Sequence, residues 1–210
     1  MPALALGVLV SGTGTNLQAI LDAIDDGRLD ARIRVVISNK PDALALERAR
    51  TRGVATLVIS HKAYPTREAF DAALVAALRE HGVDWVVLAG FMRLLTRTML
   101  DGFKNRIVNI HPSLLPAFPG VDAQEQAFDY GVKVTGCTVH LVDEGTDTGP
   151  ILMQRAVPVL DADDAASLRA RILSEEHTLL VETLQAIAVG KLEIVEGVDG
   201  RRARTRLGAR

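Results

Sequence analysis

The sequence predicts a one-domain α/β fold: a parallel sheet in the N-terminal half, an antiparallel C-terminal extension, and helices on both faces. Three observations carry this. Apolar runs closed by glycine alternate with amphipathic segments over residues 3–90, the pattern of βα units. The connections between these segments are short, as crossovers over a parallel sheet require. After residue 107 two strand-like runs flank a Gly/Asp/Thr turn, and a long amphipathic segment follows.

Residues 3–10 form a continuous apolar run closed by Ser11-Gly12-Thr13-Gly14, the mark of a buried strand. Leu17, Ile20, Leu21 and Ile24 then recur at helical spacing. Residues 33–37 read as a second strand. Pro41-Asp42 opens a helix that Gly53 ends. Residues 54–59 make a third strand, 66–80 a helix with acidic character in its first turn, and 83–89 a fourth strand closed by Gly90. A short strand over 107–110 enters the proline-rich stretch His111-Pro112-Ser113-Leu114-Leu115-Pro116. Residues 123–130 fit a short helix, and residues 132–142 and 151–159 an antiparallel pair. Asp164 caps a long helix to about Val189, and 190–200 read as a terminal strand and turn. Residues 1–200 are expected to form the domain, and 201–210, with five arginines and no acid, a solvated basic tail.

Composition excludes several classes. Apolar residues make up 48% of the 210 and charged residues 24%, which is globular rather than disordered. The 24 basic and 26 acidic side chains leave a net charge of −2, so no global basic field points to nucleic acid. One cysteine, Cys137, permits no internal disulfide, and no Cys/His set has zinc spacing. No apolar run reaches the roughly 18 residues of a membrane span, and the N-terminus lacks a signal-peptide pattern. The expectation is a cytoplasmic protein, a monomer or homodimer, without metal, nucleic-acid or membrane partners.

Four constellations could carry chemistry. Ser11-Gly12-Thr13-Gly14-Thr15-Asn16 lies between a strand and a helix N-terminus, where free N–H groups attract an anion. It is either a seat for a single phosphate or a plain turn with a threonine cap. Asn109 and His111 share a face by the two-residue period at the carboxyl end of a strand, where open α/β sheets place ligands. An amide can stabilise an oxyanion and an imidazole can carry a proton; the alternative is a pair that holds the proline-rich loop. Asp143, Glu144 and Asp147 crowd a turn that could bind a metal, orient a histidine or simply solvate a hairpin, and Asp147, before Thr148-Gly149-Pro150, stands out. Glu176 falls near the centre of the stripe Leu168, Ile172, Leu179, Leu180, Leu184, Ile187, with Glu175 at its edge. A carboxylate there is costly unless it meets a polar pocket or a wet margin. His61, His81, His140 and His177 read as structural or solvated.

In order, the motifs Ser11-Gly12-Thr13-Gly14-Thr15-Asn16-Leu17-Gln18, Ser38-Asn39-Lys40, Leu88-Ala89-Gly90-Phe91-Met92-Arg93, Asn109-Ile110-His111-Pro112-Ser113-Leu114-Leu115-Pro116, Thr138-Val139-His140 and Asp147-Thr148-Gly149-Pro150-Ile151 resemble those of the glycinamide ribonucleotide formyltransferase family of purine biosynthesis. The resemblance implies a Rossmann-like formyltransferase fold. It also implies transfer of the formyl group of 10-formyltetrahydrofolate, as co-substrate, to the amine of glycinamide ribonucleotide. By resemblance Asn109 would bind the formyl oxygen, His111 would be the general acid, and Asp147 would pair with His111 and favour its charged form. Gly14, Thr15 and Asn16 would hold the ribonucleotide phosphate and Glu176 would bind the same substrate. Arg67, Met92, Arg93, Leu94 and Leu95, with Asn109, would line the folate site, and no metal is implied. Ala117 and Asp122 depart from the Lys and His that family members commonly carry there.

Overall fold

The computed structural model describes residues 3–195 and 204–207. The chain divides into two compact units, residues 1–109 and 110–210.

The first unit is built of β1 (Leu4–Val10), α1 (Thr15–Asp25), β2 (Ala31–Ser38), α2 (Leu44–Thr51), β3 (Thr56–Val58), a 3-10 turn at His61–Ala63, α3 (Arg67–Glu80), β4 (Trp85–Leu88), α4 (Arg97–Gly102) and the first part of β5 (Ile107–His111). Its strands are ordered β3-β2-β1-β4-β5 and every pair is parallel. Val8 pairs with Val36 on one side and Val87 on the other. Leu6, Val8, Leu9, Val35, Val36, Ile37, Val86 and Val87 are fully buried, as strands covered on both faces must be. The order reverses direction between β1 and β4, so the segments after these strands meet at the switch point where such sheets bind ligands.

The second unit contains α5 (Ala123–Tyr130), β6 (Val134–Leu141), β7 (Ile151–Pro158), α6 (Ala165–Ala188), β8 (Leu192–Val195) and β9 (Arg204–Leu207). β6 and β7 are antiparallel, with Thr138 opposite Gln154 and a register shift between Val139 and His140. α6 packs on both strands. Asp164 starts it through a reciprocal capping box with Ser167.

The α/β class, the parallel first half and the antiparallel pair agree with expectation. Three details differ. α2 begins at Leu44 with Ala43 at its cap, so Pro41-Asp42 forms a turn before it. α4 lies in a stretch for which the sequence offers no amphipathic signal, its six residues being too few to show a period. Residues 204–207, expected to be solvated tail, are a strand paired with β8, and the Thr205 hydroxyl donates to the Ile151 carbonyl of β7 at 2.5 Å. The Arg-Thr-Arg-Leu alternation is a strand pattern that the charge count conceals. The expected turn at 196–200 and the rest of the tail lie outside the described residues. No helix among the described residues is long and apolar enough to cross a membrane.

Candidate active site

In the second unit the chemistry gathers around Asp147. Its Oδ2 lies 3.3 Å from His111 Nδ1 and its Oδ1 3.5 Å from His140 Nε2. The Gly120 N–H donates to Asp147 Oδ2 at 2.8 Å. Asp147 has φ 55°, a left-handed conformation that Asp adopts more readily than most residues, and this turns its carboxylate toward both rings. Burial works to raise the Asp147 carboxyl, but the hydrogen bonds from His140 and Gly120 and the two imidazoles outweigh it and hold the pKa below the ordinary value.

His111 ends β5 and is buried. Its Nε2 faces the Phe118 carbonyl at 2.8 Å, so that nitrogen carries the proton. Burial lowers the His111 pKa below the ordinary value, against the Phe118 carbonyl and Asp147, which raise it, while His140 lowers it further. The pairing expected from the sequence is present, and Asp147 pulls the ring toward its charged form as expected, although burial outweighs that pull. His140, expected to be merely structural, shares the carboxylate. Its Nδ1 faces the Leu141 carbonyl at 2.8 Å, so both its ring nitrogens point at oxygen acceptors.

The proline-rich loop is held from inside. The Thr138 hydroxyl donates to the Ser113 carbonyl at 2.7 Å and accepts from the Leu115 N–H at 3.1 Å and Gln154 Nε2 at 3.0 Å. Ser113 Oγ donates to the Ala117 carbonyl at 2.5 Å. Position 117 thus serves this loop through its backbone, and the departure to alanine leaves that bond intact. Asp122, the other departure, sits in a left-handed conformation as the N-cap of α5.

Glu176 lies on the buried face of α6 with 5% of its surface exposed, and forms no side-chain hydrogen bond or ion pair among the described residues. Burial pushes its pKa up to about 7. Its neighbour Glu175 is instead tied to Arg155 at 3.1 Å, and that arginine also binds Glu182 at 2.7 Å. The helix-face reading is correct in placing Glu176 at the centre and Glu175 at the edge. Burial, with Glu176 and Glu175 adding to it, pushes the Cys137 thiol up to about 12, which rules it out as a thiolate nucleophile at neutral pH.

In the first unit, the turn after β1 delivers Gly14 as the N-cap of α1, with φ 74° and no side-chain cap. The threonine-cap alternative is therefore not what the turn does. Gly14 has a packing reason too: a Cβ there would lie 2.5 Å from Ala45 Cβ. Among the described residues Asn16 Oδ1 is buried without a hydrogen-bond partner, a group suited to a ligand's donor. Arg48 of α2, which no sequence motif singles out, donates to the Thr13 carbonyl at 2.8 Å and to Gln18 Oε1 at 3.0 Å. Arg67 Nη2 donates to the Leu94 carbonyl at 3.0 Å, so Arg67 and the Met92–Leu95 stretch are brought together as expected. Ser11 Oγ donates to Asn39 Oδ1 at 2.7 Å and accepts from the Met92 N–H at 3.0 Å, joining the ends of β1, β2 and β4. A separate cavity of about 580 Å³ opens at the amino ends of β2 and β3, with Arg32, Arg34 and Arg52 in its wall. It shares no residue with these clusters.

Residues 5–184 match the formyl transferase family. The chain belongs to that family. It is 40% identical over 198 residues to phosphoribosylglycinamide formyltransferase of Escherichia coli (strain K12), covering 93% of each chain. It is 49% identical over 187 residues to trifunctional purine biosynthetic protein adenosine-3 of Drosophila melanogaster, covering 88% of this chain and 14% of that protein. The chain spans 19% of the human protein of that name, and so corresponds to a small part of these trifunctional relatives. The crystal structure of glycinamide ribonucleotide transformylase 1 from Symbiobacterium toebii matches with a TM-score of 0.92 at 54% identity, covering 99% of this chain and 95% of that one. In this formyl transferase the matched region contains the site residues from Ser11 to Glu182.

Proposed function

We propose that the protein is a phosphoribosylglycinamide formyltransferase, moving the formyl group of 10-formyltetrahydrofolate to the amine of glycinamide ribonucleotide. The observation that carries this is the buried His111–Asp147 pair, two residues beyond Asn109, in a chain similar along its length to enzymes of that name.

Formyl transfer places specific demands on such a site. The amine nitrogen attacks the formyl carbon, and negative charge gathers on the formyl oxygen. The carbon–nitrogen bond to folate then breaks as that nitrogen gains a proton and the amine loses one. An amide donor at Asn109 would stabilise the oxyanion. His111 would deliver the proton, which requires its Nε2–H to exchange the Phe118 carbonyl for the reacting atoms. Asp147 would orient the ring and stabilise the imidazolium. The unpartnered Asn16 Oδ1 and the free N–H groups of the first turn of α1 support Gly14, Thr15 and Asn16 as the phosphate seat. The unpaired Glu176 supports a polar ligand at α6. Arg67, Met92, Arg93, Leu94 and Leu95 would receive the folate, with the exposed Met92 and Leu94 side chains offering an apolar surface to its ring system.

The deciding assay is formyl transfer from 10-formyltetrahydrofolate with and without glycinamide ribonucleotide. Formylation of the ribonucleotide is expected. Formate released at an equal rate without acceptor would favour a hydrolase instead.

A further inference from the structure

Residues 92–96 are pinned to the first unit at every second position. The Met92 N–H donates to Ser11 Oγ at 3.0 Å, and the Leu94 carbonyl accepts from Arg67 at 3.0 Å. Thr96 donates twice to Asp71 Oδ2, from its N–H at 2.6 Å and from its hydroxyl at 2.8 Å. The side chains of Met92 and Leu94, 68% and 61% exposed, are left to face outward.

Asp71 has no part in the chemistry derived above, and its position is costly. It lies on α3 with 1% of its surface exposed, on the buried face that includes Phe70, Leu74 and Val75. Burial raises its pKa even though the bonds from Thr96 lower it. An apolar residue would fill that place on the helix without the desolvation cost. Thr96 also gives something up. It is the N-cap of α4, yet its hydroxyl makes no cap bond, because it is turned to Asp71 instead. Two locally favourable choices are thus set aside for one contact, and its effect is to fix the far end of the 92–95 segment.

We propose that Asp71 is a positioning residue for the folate donor, acting through Thr96 to hold residues 92–95 in their binding conformation. This rests on the reading of Met92–Leu95 as the donor seat. The test measures KM for 10-formyltetrahydrofolate, KM for glycinamide ribonucleotide, kcat and Tm in four full-length variants: Asp71→Ala, Asp71→Asn, Thr96→Val and Leu94→Asp. Asp71→Ala raises the donor KM roughly tenfold, the loss of a hydrogen-bonded charged acceptor, and leaves the ribonucleotide KM within about twofold. Asp71→Asn, whose carbonyl oxygen can still accept from Thr96, restores most of the donor affinity. Thr96→Val, which removes one bond and strands no charge, gives a smaller rise in donor KM and carries the test if Asp71→Ala does not fold. Leu94→Asp raises the donor KM directly. If it does so while the Asp71 and Thr96 variants leave the donor KM unchanged, or raise both KM values alike, the positioning role is overturned and the donor seat stands. If Leu94→Asp leaves the donor KM unchanged, the seat is wrong and the role of Asp71 falls with it.

Discussion

His111 Nδ1 lies 3.3 Å from Asp147 Oδ2, and the two groups are driven in opposite senses. Burial depresses the imidazole, while the carboxylate at its side works to keep it charged. Asp147 therefore limits the depression that burial imposes on the imidazole. Asp147→Asn preserves shape and tolerates the left-handed backbone, but removes the charge. The His111 pKa is expected to fall further, as read by NMR titration of the imidazole. The kcat should drop roughly a hundredfold or more if the pair moves the proton. A His111 pKa that stays in place would show that Asp147 acts on His140 alone.

Glu176 should cost the apo protein stability above neutral pH. Its pKa rises from 4.5 to about 7 on folding, so between these values the folded state holds a proton that the unfolded state has lost. Stability then falls as pH rises through this window and stays lower above it. Glu176→Gln abolishes the penalty, up to roughly 3 kcal/mol for a shift of this size. Its Tm should match the parent near pH 4 and exceed it at pH 8, while ribonucleotide affinity weakens. Glu175→Gln, on the surface with Arg155, should change stability by less than about 1 kcal/mol. A lower Tm for Glu176→Gln at pH 8 would mean that the carboxylate is a structural partner.

Gly14 is constrained twice, by φ 74° and by Ala45 packed where a Cβ would stand. Gly14→Ala should destabilise by roughly 1–3 kcal/mol, measured by denaturant unfolding, so a weakened ribonucleotide affinity in that variant would not isolate phosphate binding. Thr15→Val is the cleaner probe, expected to raise the ribonucleotide KM with little change in Tm.

Thr138→Val keeps volume but strands the Leu115 N–H and frees the Ser113 carbonyl. A buried donor left unpaired costs about 1–3 kcal/mol. Because the same loop carries the Phe118 carbonyl that faces His111, kcat should fall about tenfold as well, a loss typical of small misplacement at a reacting centre. Unchanged kcat with reduced Tm would separate the loop's stability from its role at His111.

What could be read in advance follows from physical period. β1, α1, α5 and the β6–β7 pair show in the sequence because burial on one or both faces writes itself as an apolar run or stripe. Glu176 shows for the same reason, as an exception to its stripe. His140 does not: alternation beside Leu141 says only that it is buried, and the shared carboxylate comes from a turn seven residues on. The Phe118 carbonyl contributes through the backbone, which leaves no mark on residue type, and Arg48 reads as one more helix-surface cation because its acceptors, Thr13 and Gln18, are 30 or more residues away. Asp71 reads as one more acid near a helix start, since the Thr96 that explains it is 25 residues away.

The central claim is that His111 carries the proton for formyl transfer. Steady-state formylation of glycinamide ribonucleotide by His111→Ala, in protein shown to keep its Tm and its affinity for both substrates, tests it most directly. The expected result is a kcat at least about a hundredfold below the parent with little change in either substrate affinity. Parent-like turnover in that variant would contradict the assignment.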